Sequence, residues 1–230
     1  MYEAVFVPPE GRSTVARFAH TASEYGFSGI VVRNSDGEEF EVVREKYNID
    51  VVSGTEIRAE NPQQASGHLN RREEYTILAV RGGKNDLNRF AVEQERVDVL
   101  TKPMAGDGDF NHVLAKAAAR NGVRVEFDFS TVLRLEGGRR VQALSDMRKL
   151  RELLTQYDAP YVVSASPESH LQLRGPRELL AVGKEIGFSS EEIESGLEEW
   201  GRLAERNREV VSESFIEPGV HRGRYEKNGF

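Results

Sequence analysis

RVEFDFSTVLR, residues 124–134, decides how the rest of the chain is read. In an extended backbone alternate side chains face opposite ways. Val125, Phe127 and Phe129 therefore share one face, and Glu126 and Asp128 share the other. The pattern predicts a strand over Val125–Leu133 that closes on Arg134. Two carboxylates on one side of an otherwise apolar strand have two readings. They are a metal or acid–base site, or they are counter-charges to cations held nearby.

Working outward, six further short runs rich in Val, Ile, Tyr or Phe predict strands at Glu3–Val7, Gly29–Val32, Ile49–Ile57, Tyr75–Val80, Val97–Leu100 and Tyr161–Ser164. Helical patterns separate them. Ser13 is placed to cap a first helix that buries Val15, Phe18, Ala19 and Ala22 and stops near Gly26. HVLAKAAARNG predicts a helix stopped by Gly122. Val141, Leu144, Met147, Leu150 and Leu154 recur at helical spacing. Ser189 and Glu192 have the spacing of a capping box, and Ile193, Leu197, Trp200 and Leu203 then share one apolar face, with Trp200 as a core anchor. Strand–helix alternation of this kind argues for a parallel sheet covered by helices. The first strand leads into VPPEGRS rather than a glycine-rich phosphate loop, which disfavours a dinucleotide-binding sheet. The expectation is a TIM-like α/β barrel of about seven parallel strands, a single domain over residues 1–212. Residues 213–230, with His221, Arg222, Arg224 and Lys227, read as a flexible basic tail.

With 38% hydrophobic residues in 230, the chain can bury a real core. It has no cysteine, so thiolate metal sites, thiol nucleophiles and disulfides are excluded. The first residues, MYEAVFVPPE, lack the basic start and apolar core of a signal peptide, and no apolar run is long enough to span a bilayer. A soluble, cytoplasmic protein with no membrane contact is expected. The net charge is −7, and 24 of the 31 basic residues are arginine. Abundant acids with scarce lysine match a salt-loving source; an ordinary acidic protein with GC-rich codons is the alternative.

The cations are not scattered at random along the chain. Predicted strands close on Arg33, Arg58, Arg81, Lys102 and Arg134, and Arg174 and Arg177 follow the last one. In a parallel barrel all strand C-termini share one rim, so these residues would ring one mouth of an acidic molecule. Arginine's planar fork of donors suits phosphate. The alternative is that each cation pairs with Glu56, Glu126 or Asp128 and merely neutralises the interior. A magnesium-dependent phosphoesterase using those three acids is a competing function. It would normally want histidines, and His20, His68, His112, His170 and His221 lie apart with no ligand spacing between them. A sugar-phosphate isomerase or aldolase could use Lys102, but no partner for it is identifiable. No GxSxG occurs.

FNHVLAKAAARNGVRVEFDFSTVLR resembles the helix–strand segment of the archaeal ribonuclease P protein component 3 family, and MRKLRELLTQYDAPYVVSASPESHLQLRGPRELLAVGKEIGF resembles the block that follows it there. YEAVFVPPEG and GFSGIVVRN fit more loosely. The resemblance implies a TIM-like barrel related to the polymerase-and-histidinol-phosphatase barrels with their metal site lost. It implies a subunit of ribonuclease P, the enzyme that removes the 5′ leader of precursor tRNA. The RNA would carry the catalytic Mg2+, and the protein would bind no cofactor, have no catalytic residue and be inactive alone. Its implied partners are the ribonuclease P RNA, protein component 2, the other protein subunits and precursor tRNA in the complex. Arg81, Lys102, Arg174 and Arg177 are RNA contacts by resemblance; Arg33, Arg58 and Arg134 rest on the rim alone. Family members are generally basic, and a salt-loving source would explain the departure.

Overall fold

In the computed structural model, which describes residues 1–37, 40–211, 215–217 and 220–221, the apolar runs become strands separated by helices. The order is β1 (Tyr2–Val5), α1 (Val15–Glu24), β2 (Gly29–Val32), a two-residue β3 (Asn34–Ser35), α2 (Phe40–Tyr47), β4 (Asp50–Ile57), α3 (Pro62–His68), β5 (Ile77–Arg81), α4 (Asn85–Glu93), β6 (Val99–Thr101), α5 (His112–Asn121), β7 (Arg124–Asp128), α6 (Ser130–Arg134), α7 (Gly137–Gln156), β8 (Tyr161–Ser164), α8 (Pro176–Ile186) and α9 (Ser190–Val211). Seven of the strands pair in parallel in the order β1-β2-β4-β5-β6-β7-β8, and β3 pairs antiparallel with β4. Spatial order follows chain order throughout. A doubly wound sheet reverses direction part-way; this sheet does not, and it curls into a nearly closed TIM-like barrel.

Among the described residues no backbone ladder joins β8 to β1. The Glu3 side chain closes that gap. Its carboxylate accepts from the Ala165 N–H at 3.1 Å, from the Ala4 N–H at 2.9 Å and from the Ser164 hydroxyl. A fully buried acid thus does across the seam what main-chain carbonyls do elsewhere in the ring. Further up, the Phe6 N–H donates to the Pro167 carbonyl at 3.1 Å.

The opposite end is plugged by α9, which lies across the strand N-termini. The Asn207 amide donates to the Thr76 carbonyl at 2.9 Å and to Asp98 at 3.0 Å, Arg208 pairs with Asp50 at 2.9 Å, and Glu199 takes Arg124 at 2.8 Å. From this helix Trp200 enters the barrel, with no exposed surface, and its indole N–H donates to the Val163 carbonyl at 2.9 Å. It packs with the inward-facing Ala4, Val31, Val52, Ala79, Val99 and Val162. The Ser189–Glu192 capping box forms as predicted, each residue's backbone N–H donating to the other's side chain.

Five expectations are corrected. The strand from Val125 stops at Asp128, and Ser130–Arg134 is helical. Asp128 is the cause: its carboxylate accepts the Ser130 N–H at 2.9 Å and its carbonyl the Thr131 hydroxyl at 3.2 Å, which turns the chain despite the β-branched Thr131 and Val132. Thr14, not Ser13, caps α1; Ser13 is buried and bonded to the His170 ring at 2.8 Å. Val141 is 67% exposed, and of α7 only Met147, Leu150 and Leu154 are buried. Val7 follows β1 rather than ending it, and β6 ends at Thr101 rather than Leu100. Within the segment read as a tail, Phe215–Glu217 pairs antiparallel with Val220–His221; Arg222, Arg224 and Lys227 lie outside the described residues.

Burial pushes the Glu3 carboxyl up to about 7 from an ordinary 4.5, against the pull of its hydrogen bonds and of Arg33. A pKa raised on folding means the folded chain holds the proton more tightly. Stability therefore falls as pH rises from 4.5 to 7, and the group contributes no further slope above that. The limiting slope is about 1.4 kcal/mol per pH unit. Denaturant unfolding between these limits should show this component in the wild type and lose it in Glu3→Gln; identical slopes in the two would assign the pH dependence elsewhere.

Candidate nucleic-acid interface

Strand parity sends Glu56, Arg81, Thr101, Glu126, Asp128 and Ser164 into the upper half of the barrel, at the ends where the parallel strands finish. Arg33, one residue beyond β2, joins them. An isolated charge in such a place is very costly, and Arg33 is 2% exposed. Its fork meets the two oxygens of Glu126, with Nη1 at 3.2 Å from Oε2, and Glu56 lies 3.7 Å away. The rings of Phe6 and Trp200 flank the guanidinium with centroids 5.4 and 5.2 Å from Cζ. Burial works against the Arg33 charge, but Glu126 and Glu56 outweigh it and raise its pKa. Burial also pushes the Glu126 carboxyl up, yet a fork of two N–H donors on its two oxygens holds the pair ionised.

Nearer the surface, the acids are again shared among cations. Glu56 accepts from Arg58 Nε and from the Thr101 hydroxyl, each at 2.9 Å, and its Oε1 is 3.9 Å from Arg81 Nη1. Lys102 Nζ sits 3.3 Å from Asp128. Burial would raise the Asp128 pKa, but Lys102, Ser130 and Arg33 lower it. The two acids of the opening stretch are thus internal counter-charges. Lys102, after β6, and Ser166, after β8, hold left-handed backbone at φ 49° and 44°. Strain of this kind persists only where the surroundings impose it.

The seven cations expected to contact RNA do not stand alike. Arg58 and Arg81 are roughly two-fifths exposed and Lys102 a quarter, all at strand ends. Arg33 is withdrawn from any partner by its burial in the ion-pair core, so its expected contact with RNA is corrected. Arg134 ends a helix, not a strand, yet reaches the same rim, donating to the carbonyls of Ala165 and Ser166 at 3.3 and 3.0 Å. Arg174 donates to the Leu173 carbonyl at 2.8 Å. Arg177 is exposed in the first turn of α8, where the helix dipole disfavours a cation. Among the described residues it has no ion-pair partner. Lys84 was missed. It lies three residues beyond Arg81, half-exposed, and pairs with Glu60 at 2.8 Å. Its sequence signal was RGGK, a glycine pair that carries the chain from strand end to helix start.

Among the described residues no three His, Asp or Glu side chains gather to hold a metal ion. Nor is any described helix long and apolar enough to cross a membrane.

The profile of the RNase P subunit p30 family matches residues 1–210. The chain belongs to the RNase P subunit p30 family. It is 54% identical to ribonuclease P protein component 3 of Halorubrum lacusprofundi, over all of both chains, and 55% identical to that of Haloarcula marismortui, over 96% of each. Such sources fit the acidic, lysine-poor composition. The fold is similar to a chain in the cryo-EM structure of archaeal ribonuclease P with mature tRNA, with TM-score 0.85 and 24% identity over 99% of this chain and 100% of that one. This p30 chain is accordingly a protein subunit of ribonuclease P, the enzyme of tRNA 5′ maturation, on a TIM-like barrel.

Removing one member of a buried ion pair leaves the other uncompensated, at a cost of about 3–5 kcal/mol. Arg33→Met in this p30 barrel should lose stability on that scale in denaturant unfolding. Adding Glu126→Gln should restore part of it. A single variant as stable as wild type would mean that Arg33 and Glu126 are not coupled.

Proposed function

We propose that the chain serves ribonuclease P as an RNA-binding subunit, with the barrel mouth facing RNA and the hydrolytic chemistry carried by the RNA and its Mg2+. One observation supports this best. Every buried carboxylate at the mouth already faces a cation: Glu126 faces Arg33, Glu56 faces Arg33, Arg58 and Arg81, and Asp128 faces Lys102. Acids so occupied are poor metal ligands and poor general bases, which counts against the phosphoesterase alternative. The outer cations, in contrast, keep surface for a partner.

A ribonuclease P protein acts where its RNA is, so the partners in this proposal are the ribonuclease P RNA, protein component 2, the remaining protein subunits and precursor tRNA held in the assembly. The cytoplasm is the corresponding location. Contacts of Arg58, Arg81, Lys102, Arg134, Arg174 and Arg177 would go to phosphates. Arginine's fork adds geometry to charge and so keeps value at high salt, where bare charge attraction is weak.

The purified chain alone should release no 5′ leader from precursor tRNA with Mg2+ present. Reconstituted with the RNA and the other subunits in concentrated KCl, it should raise leader removal, and an Arg81→Gln, Lys102→Gln, Arg174→Gln variant should lower that rate roughly tenfold or more while keeping the wild-type circular dichroism. Metal-dependent cleavage by the isolated chain, abolished in Glu126→Gln, would establish the phosphoesterase instead.

A further inference from the structure

We propose that the cleft between the ends of β4 and β5 is a phosphate site that takes a backbone phosphodiester of RNA. The inference rests on the RNA-facing mouth above and assigns one place in it. The cleft has a volume of about 380 Å³, and Arg58, Glu60, Arg81 and Lys84 line it together with Gly83 and Gly106.

Its donors are unspent. Arg58 uses only Nε, on Glu56; among the described residues its two Nη groups make no hydrogen bond. The Arg81 guanidinium makes none there either. Its ion-pair contact is 3.9 Å long and falls on the Glu56 oxygen that Arg58 already occupies. A single buried carboxylate thus faces three guanidiniums, since Arg33 is 3.7 Å from its other oxygen. The surplus positive charge sits on the two arginines that reach the surface. Phe6 supports the Arg58 fork from one side, its centroid 5.1 Å from Cζ, so this fork is held rather than free to swing.

The cleft floor is backbone. Gly83 has φ +94° and Gly106 φ +57°, conformations a side chain disfavours, and a Cβ on either would lie within 3.2 Å of a carbonyl oxygen of the other loop. The two glycines let these loops pack directly against each other and form the cleft floor. Lys84 adds a third charge. Its partner Glu60 is 84% exposed, and an exposed pair of this kind is worth little. Glu60 therefore stands where an anionic ligand would replace it. Two forks and one ammonium converging on a space whose one acid, Glu60, is exposed and displaceable match a phosphodiester in charge and in donor geometry.

The test uses the full chain in the reconstituted assembly. The affinity for ribonuclease P RNA is read over a KCl series for assemblies lacking the chain or carrying wild type, R81Q/K84Q, E60Q or R89Q. R81Q/K84Q should weaken binding roughly tenfold and flatten the salt slope by roughly 0.7–0.9 for the phosphate lost. E60Q removes only an exposed competitor, endangers no folding, and should tighten binding. R89Q removes the same kind of charge from the far part of α4, where it pairs with Glu93 at 2.8 Å, and should leave affinity within twofold. Wild-type affinity in both R81Q/K84Q and E60Q overturns the cleft while the RNA-facing mouth stands, provided wild type still improves on the assembly lacking the chain. No improvement from wild type overturns both. Line broadening of inorganic phosphate by the chain in phosphorus NMR, lost in R81Q/K84Q without any change in RNA affinity, would mark a free-phosphate site and overturn the RNA assignment.

Discussion

A full positive charge in the middle of a barrel constrains everything around it. Arg33 is charged at any pH the fold survives, so its interior position requires acids within reach and a shape that excludes water. Glu126 comes from the far side of the ring and Glu56 from the adjacent strand. Both can meet one guanidinium only if the sheet has curled until β2 faces β7. The ion pair and the closure are therefore one fact. Phe6 above and Trp200 below complete the enclosure.

The two ends of the barrel solve opposite problems. At the N-terminal end α9 supplies the groups that the strand starts lack. Asp98, nearly buried, receives Asn207, Arg206 and Arg72 together, and Trp200 fills the space that inward valines and alanines leave. That end is saturated and closed. At the C-terminal end cations outnumber the buried acids, left-handed Lys102 and Ser166 shape the rim, and several guanidinium N–H groups have no acceptor among the described residues. Stability is concentrated below and unused binding capacity above, as in other barrels whose loops after the strands carry function.

The net charge of −7 does not prevent a local excess of cations, because Arg33, Arg58, Arg81 and Lys102 face only three buried acids at the barrel mouth. Acids populate outer helix faces, for example Glu191, Glu194, Glu198 and Glu205 along α9, where Arg202, Arg206 and Arg208 partly offset them. A summed charge describes the molecule at a distance; within a Debye length, local placement decides what binds.

Much of this was legible in the sequence. Alternation of short apolar runs with helical stripes pointed to a parallel sheet covered by helices, and the missing glycine-rich phosphate loop favoured a barrel over a doubly wound sheet. Cations at successive strand ends implied a common rim, and the blocks around residues 110–190 carried the family. Local chemistry also settled the capping box at Ser189 and the stop at Gly122. Tertiary structure alone decided the rest. Parity puts Arg33, Arg58 and Arg81 on the same side of their strands, yet one is sealed in the core and two reach solvent. Depth along the barrel axis and the arrival of Glu126 from the far wall make that difference, and neither is a property of local sequence. The turn at Ser130 was hidden for the same reason, as a single carboxylate capping a backbone N–H overrode strand-like residues. Lys84 escaped notice because its importance comes from proximity to Arg58, which is 26 residues away in the chain and adjacent only after β4 and β5 pair. Periodicity fixes which elements form and which face is apolar; charges find their partners only when the ring closes.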